Sequence, residues 1–237
     1  MRTATKARSR TTTAAVPPKT APPSDAEAAQ QQFVAQRKAL RDLINDYAIY
    51  RVPNGSRELL GFDGKSYYSW QFQMRAAVLK PQSLIFIAKC FWGLYYNRYK
   101  QRPFQIAGAD AGALPIISAI LMCAPSIPLN AFSIRKQRKP YGLCNMIEGR
   151  PTNEPVVIVD DLTSPIHETM WHTINQVMQL GLPLYGGAFV VVWKGRREQM
   201  ALIPTSQGNL GVESIFTAED FDLTIEGYRE AKKAKTG

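Results

Sequence analysis

Apolar and polar positions fall into two patterns along this chain. From Ser24-Asp25-Ala26-Glu27, a capping-box arrangement, a helix is predicted whose inner stripe is Leu40, Leu43, Ile44 and Tyr47 at helical spacing. The aromatic run Tyr67-Tyr68-Ser69-Trp70 reads as a strand or strand edge, and Pro81 opens a second apolar helix to about residue 98. After that the pattern becomes strand, loop, helix. Phe104–Ala107, Ala131–Ile134, Val156–Val159 and Ala188–Val192 are short apolar strands, with helices at about 115–123 and after Asp161, the latter carrying Met170, Ile174, Val177 and Met178. Apolar strands bounded by Gly and Asp and alternating with helices predict an α/β fold, its mostly parallel sheet covered on both faces.

The ends look different. Residues 1–23 are mainly Thr, Ala, Pro, Lys and Arg, too poor in large apolar groups to offset chain entropy, so a disordered basic tail is expected there. An ordered domain is expected over 24–228 and a basic tail over 229–237. Of the formal charge of +10 on 237 residues, +5 lies in residues 1–24 and +2 in 225–237. The 200 residues between carry +3, so the pI of about 9.6 describes the ends more than the domain. Nucleic-acid binding through the tails is therefore possible but not favoured. No apolar run approaches the roughly 18 residues of a membrane span. Cys90, Cys123 and Cys144 read as reduced thiols of a cytoplasmic protein, and His167 and His172, without a nearby Cys, as packing or solvent-facing groups.

In an open parallel sheet, ligands bind outside the carboxyl ends of the strands, near the switch in strand order. Three segments follow strands with suggestive chemistry. Asp160-Asp161 suits sugar hydroxyls or a hydrated Mg²⁺, and equally a helix N-cap. Gly108-Ala109-Asp110-Ala111-Gly112-Ala113-Leu114-Pro115 would let backbone approach a phosphate, or would simply let a helix pack closely on the sheet. Arg135-Lys136-Gln137-Arg138-Lys139 would clamp a polyphosphate, or would be a solvated or RNA-binding basic loop.

In this order the segments resemble the type I phosphoribosyltransferases, most closely the orotate phosphoribosyltransferases. Those enzymes share a small-residue loop with a following Pro (here Gly108–Pro115) and an Arg-Lys-x-x-Lys-x-x-Gly loop (Arg135 to Gly142). They also share a strand ending Val-Asp-Asp (Val159-Asp160-Asp161). Gly64-Lys65-Ser66-Tyr67-Tyr68 is similar to the family's base-pocket segment, and Val212–Thr217 to its closing strand. The resemblance spans about residues 38–228. It implies transfer of ribose phosphate from phosphoribosyl pyrophosphate to a pyrimidine-type base, with Mg²⁺ and release of diphosphate, in a homodimer with a small hood of N- and C-terminal elements. By the same resemblance Lys139, Asp160 and Asp161 are catalytic, the two aspartates also holding the metal through water. Arg135, Lys136, Lys139, Gly108, Asp110, Gly112, Thr163, Ser164 and Thr169 bind phosphoribosyl pyrophosphate, and Lys65, Tyr68, Trp70 and Lys194 the base.

The chain also departs from the family. Where the family has a Thr/Gly-rich loop whose amides cradle the ribose phosphate, it has Leu162-Thr163-Ser164-Pro165-Ile166-His167-Glu168-Thr169. Pro165 has no N–H and Ile166 stands for a glycine. Forgoing a charge-assisted hydrogen bond to the phosphate costs about 1.5–3 kcal/mol. Tyr141 stands for the loop histidine. Trp193-Lys194-Gly195-Arg196 replaces the turn whose Arg reads the orotate carboxylate. A second class of function follows from these departures: a catalytically degenerate relative that senses nucleotides or binds nucleic acid or a partner.

Overall fold

Val156–Val159 and Ala188–Val192 are apolar at every position because the strands they form are covered on both faces, and every one of these residues is buried. The computed structural model describes residues 25–53, 59–60, 67–99, 104–125, 129–138, 145–164, 168–195, 197, 200 and 202–223. The tails, Lys65, Lys139, Tyr141, Cys144, His167 and Arg196 lie outside them.

The elements run α1 (Asp25–Tyr47), β1 (Ile49–Arg51), β2 (Leu59–Leu60), β3 (Tyr67–Tyr68), β4 (Trp70–Phe72), α2 (Arg75–Val78) and α3 (Pro81–Tyr99). Then come β5 (Phe104–Ala109), α4 (Leu114–Met122), β6 (Leu129–Ile134), β7 (Ile147–Gly149), β8 (Val156–Thr163) and α5 (Glu168–Gln179). The described chain closes with β9 (Leu184–Trp193), β10 (Ile203–Thr205), β11 (Gly208–Thr217) and a 3-10 turn, Ala218–Phe221. The main sheet has the order β10-β11-β9-β8-β5-β6-β7, and its five inner strands are parallel. The antiparallel strands β10 and β7 close its edges. Helices α1 to α4 share a core with one face, through Ile106, Val157, Val159, Phe189 and Val191. On the other face, α5 packs Met170, Ile174 and Val177 against Val156, Ile158, Ala188 and Val190.

Two strands run further than their apolar residues suggest. β5 continues through Gly108 and Ala109, which pair with Ser133 and Ile134 of β6. β8 continues through Asp160–Thr163, which pair with β9 up to Thr163↔Trp193. Ladder pairing with a longer neighbour, rather than side-chain polarity, sets these ends.

Outside the main sheet, β1 pairs with β4 and β2 with β3 in two small antiparallel ribbons that belong to the hood. The hood is fastened to the end of β11 by cations. Arg37 donates to Asp220 Oδ1 at 3.0 Å and to the Ile215 carbonyl at 3.2 Å, with its guanidinium 4.6 Å from the centre of the Phe216 ring. Arg41 donates to the Asp220 carbonyl and Arg51 to that of Phe221. Asp220 in turn caps the 3-10 turn through the Thr217 N–H at 2.8 Å. At the amino end of the sheet, the Gln105 side chain donates to the Thr152 and Glu154 carbonyls and accepts from the Thr152 N–H, which satisfies a fully buried amide.

Burial alone would raise the Asp220 carboxyl, but the Thr217 N–H and the Arg37 guanidinium outweigh it and hold it below the ordinary carboxylate range. A lowered acid contributes stability above its unfolded value of about 3.9 and loses it as pH falls through the folded value. Asp220→Asn should therefore destabilise the chain by about 1–2 kcal/mol at pH 7. Urea unfolding across pH should show the gap between variant and parent closing below about pH 4.

Candidate functional site

Among the parallel strands, chain order and spatial order part company between β5 and β8. From β5 the chain crosses to β6 on one side, then returns to β8 on the other. The loops leaving the carboxyl ends of β5 and β8 consequently diverge over one crevice, the position where such sheets bind ligands. Asp160 and Asp161 stand on β8 at this point, just past its last pair with β5, Gly108↔Val159.

The approach across the crevice is tight enough that a side chain at Gly112 would press on the carboxylates. A Cβ on Gly112 would stand 3.0 Å from Asp161 Oδ1 and 3.4 Å from Asp160 Oδ1, so its hydrogen leaves the room the carboxylates occupy. Gly108 does something else. It lies inside β5, and a Cβ there would meet the Ala113 Cβ at 2.4 Å and the Val159 carbonyl at 2.6 Å. It therefore serves the packing of α4 and β8, and the loop itself is only Asp110–Ala113. The left-handed residue in that loop is Ala111 (φ 71°), rather than a glycine, and its N–H donates to Asp110 Oδ1 at 3.0 Å.

The carboxylate pair is held under stress. Asp160 is buried and accepts the Asp161 N–H at 2.9 Å. Burial pushes its carboxyl well above the usual range, the adjacent Asp161 adds to this, and Lys136 draws it partly back. Burial raises Asp161 too, against the bond from Asp160 and the charge of Arg75. Just past the neighbouring strand β9, burial lowers the Lys194 ammonium while Asp161 opposes it. The Lys194 backbone N–H donates to the Thr163 carbonyl at 2.9 Å, which holds Lys194 beside the end of β8. Lys136 and Lys194 thus bring two of the expected cations within electrostatic reach of the aspartates, and exposed Arg75 at the start of α2 adds one that the resemblance does not mark. Its only sequence signal is a lone Arg after the Trp70–Phe72 run.

Other expected residues are placed differently. Arg135 is engaged by protein acids, with Nη1 3.0 Å from Glu148 and 3.7 Å from Asp110, which binds the guanidinium that the resemblance assigns to diphosphate. Trp70 is buried edge-on against Phe72, its ring centroid 5.5 Å away, so its ring packs the hood core and is not presented to a base. Tyr68, on β3, is half-buried. Thr163 is buried within β8, Ser164 follows it half-buried, and the Thr169 carbonyl accepts from the Thr173 hydroxyl inside α5. Burial pushes the Cys90 thiol up to about 12, and Cys123 is exposed. His172 bonds the Arg135 carbonyl at 3.0 Å.

Adjacent buried carboxylates suit a hydrated Mg²⁺, which takes one or two carboxylates and fills its remaining positions with water or substrate oxygens. Among the described residues no group of three or more His, Cys, Asp or Glu side chains converges to enclose a metal. No helix of the described residues is long and apolar enough to cross a membrane.

Because Asp160 is raised, the folded chain binds its proton more tightly than the unfolded chain. Its contribution to stability is then most favourable below about pH 4 and worsens as pH rises. Without Mg²⁺, Asp160→Asn should melt higher than the parent at pH 8, by about 2–4 °C for each kcal/mol relieved. A series of melting curves from pH 8 to pH 4 should show this advantage shrinking.

No protein-family model matches the chain. It is 36% identical over 86 residues to the orotate phosphoribosyltransferase of Mycobacterium avium, covering 36% of this chain and 48% of that one. It is 33% identical over 135 residues to that of Tropheryma whipplei, covering 56% and 59%. The chain thus spans about half the length of the curated relatives it matches. Among solved structures, a phosphoribosyltransferase from Corynebacterium diphtheriae superposes with a TM-score of 0.63 at 19% identity, over 80% of this chain and 99% of that one. The Mycobacterium tuberculosis orotate phosphoribosyltransferase in complex with 5-phospho-α-D-ribosyl 1-diphosphate superposes with a TM-score of 0.56 at 21% identity, over 79% and 92%. With its switch-point aspartates and this sheet order, the chain has the type I phosphoribosyltransferase fold and is similar in sequence, over part of its length, to orotate phosphoribosyltransferases.

Proposed function

We propose that this chain transfers ribose phosphate from phosphoribosyl pyrophosphate to a base nitrogen, with release of diphosphate. The observation that carries this reading is the Asp160–Asp161 pair, raised by burial, at the switch point and facing Gly112. Two carboxylates there would hold the ribose hydroxyls and oppose the positive charge that grows on the sugar as the diphosphate leaves. Mg²⁺, when bound through water to the same pair, would supply positive charge to the leaving oxygens. Lys136, exposed at the end of β6, and Lys139 would meet the diphosphate. Lys65, Tyr68 and Lys194 would line the base side, with a carboxylated pyrimidine such as orotate as the acceptor. In the family the loop bearing Lys139 reaches the neighbouring subunit's site, so the working form would be a homodimer.

A second reading has its own support. β8 runs on through Leu162 and Thr163, in register with Val192 and Trp193. Their backbone therefore belongs to the ladder instead of curling into a phosphate cradle. A non-catalytic nucleotide, nucleic-acid or partner binder would look like this. Its nucleic-acid form predicts an affinity that is lost on deleting residues 1–24 and falls steeply with salt.

Diphosphate release from phosphoribosyl pyrophosphate, assayed with orotate and other bases, separates the two. On the first reading release requires Mg²⁺, and Asp161→Asn and Lys139→Ala each lower kcat/KM by about 100-fold or more. Absence of turnover, together with no calorimetric binding of phosphoribosyl pyrophosphate, would sink it.

A further inference from the structure

The end of β6 is held from three sides. Parallel pairing of β5 with β6 ends at Ala109↔Ile134, and the Asp110 N–H donates to the Ile134 carbonyl at 2.8 Å, which sets Asp110 beside Arg135. Antiparallel pairing of β6 with β7 sets Ser133 opposite Glu148, and the Arg135 N–H donates to the Met146 carbonyl at 2.9 Å. From the other side of the sheet, His172 of α5 approaches the Arg135 carbonyl at 3.0 Å. A carbonyl oxygen only accepts, so His172 Nε2 carries the hydrogen.

The same residue joins two acids. Arg135 Nη1 lies 3.0 Å from Glu148 Oε1 and 3.7 Å from Asp110 Oδ2, and its side chain is 28% exposed. Asp110 is further oriented by the Ala111 N–H, which fixes one of its oxygens. Two carboxylates lie on this one guanidinium, beside a loop expected to receive a diphosphate. A bare Asp110 would repel that anion.

We propose that Arg135 is a positioning residue that neutralises Asp110 and Glu148 and fixes the start of the basic turn, while the diphosphate is left to the lysines that follow it. This rests on the phosphoribosyltransferase reading and changes the role of one residue within it. Lys136 and Arg138 are exposed beside Arg135, at the carboxyl end of β6.

A mutant cycle tests this through calorimetric binding of Mg²⁺–diphosphate to the full chain. If Arg135 acts by neutralising the acids, Arg135→Gln weakens binding about tenfold in the parent but less than about threefold in an Asp110→Asn/Glu148→Gln background. Arg135→Lys, which keeps the charge, then retains most of the affinity. An equal loss from Arg135→Gln in both backgrounds would show that Arg135 touches the anion and would overturn the proposal. Melting temperature gives a reading independent of the ligand. Arg135→Gln should lower it in the parent, where the two acids lose the guanidinium they share, and leave it nearly unchanged in the double variant. Equal lowering in both also counts against the proposal. If the parent binds neither diphosphate nor phosphoribosyl pyrophosphate, the proposed function falls, and the melting cycle alone decides the role of Arg135.

Discussion

The site depends on one close approach: the end of β5 and the turn after it press against β8 where two side chains are missing. At Gly108 a methyl group would collide with the Val159 carbonyl and with Ala113, and at Gly112 it would crowd Asp161. Because both positions are bare, α4 begins directly over the sheet and the turn reaches across the switch point to the aspartates. A side chain at Gly112 would have to displace the Asp161 carboxylate, and one at Gly108 the backbone of β8. Overpacking of this kind commonly costs about 1–3 kcal/mol.

Charge is arranged around that approach at the expense of stability. Burying Asp160 beside Asp161 is unfavourable for an empty fold, as the raised carboxyls show. Lys136, Arg75 and Lys194 offset this electrostatically, without a salt bridge to the pair among the described residues. Such stress is common where a protein must hold a cation or a sugar. Asp220 is the contrast. It too is partly buried, yet three of its neighbours donate to it or pair with it, and it stays ionised more readily than a free carboxylate. One acid serves the architecture and the other is kept available.

Much of the site is legible in the chain. Asp160-Asp161 after four apolar residues, small residues before a Pro, and a basic run after a strand each mark a strand end, and the structure gathers the described members of all three at the same edge of the sheet. Arg75 is not legible, since a single Arg near a short aromatic run looks like any solvated residue until the fold brings α2 within electrostatic reach of Asp161. Trp70 misleads for a related reason: an aromatic near a base-pocket motif suits stacking, but Phe72 two residues on takes it into the core. Arg135 reads as an unengaged cation in the sequence because its partner Glu148 lies 13 positions away, across a strand return that only pairing reveals.

The sequence by itself determined the class of fold and the chemistry at the strand ends, because burial on both faces demands apolar strands and a switch point demands small and polar residues after them. Only the tertiary structure decided where the strands stop and which charges remain for a ligand. Those outcomes depend on ladder partners and on carboxylates brought in from distant segments. β8 passes its own aspartates to follow β9, and Arg135 commits its charge to Asp110 and Glu148. A strand's end and a cation's availability are properties of pairs, and a linear sequence shows only one member at a time.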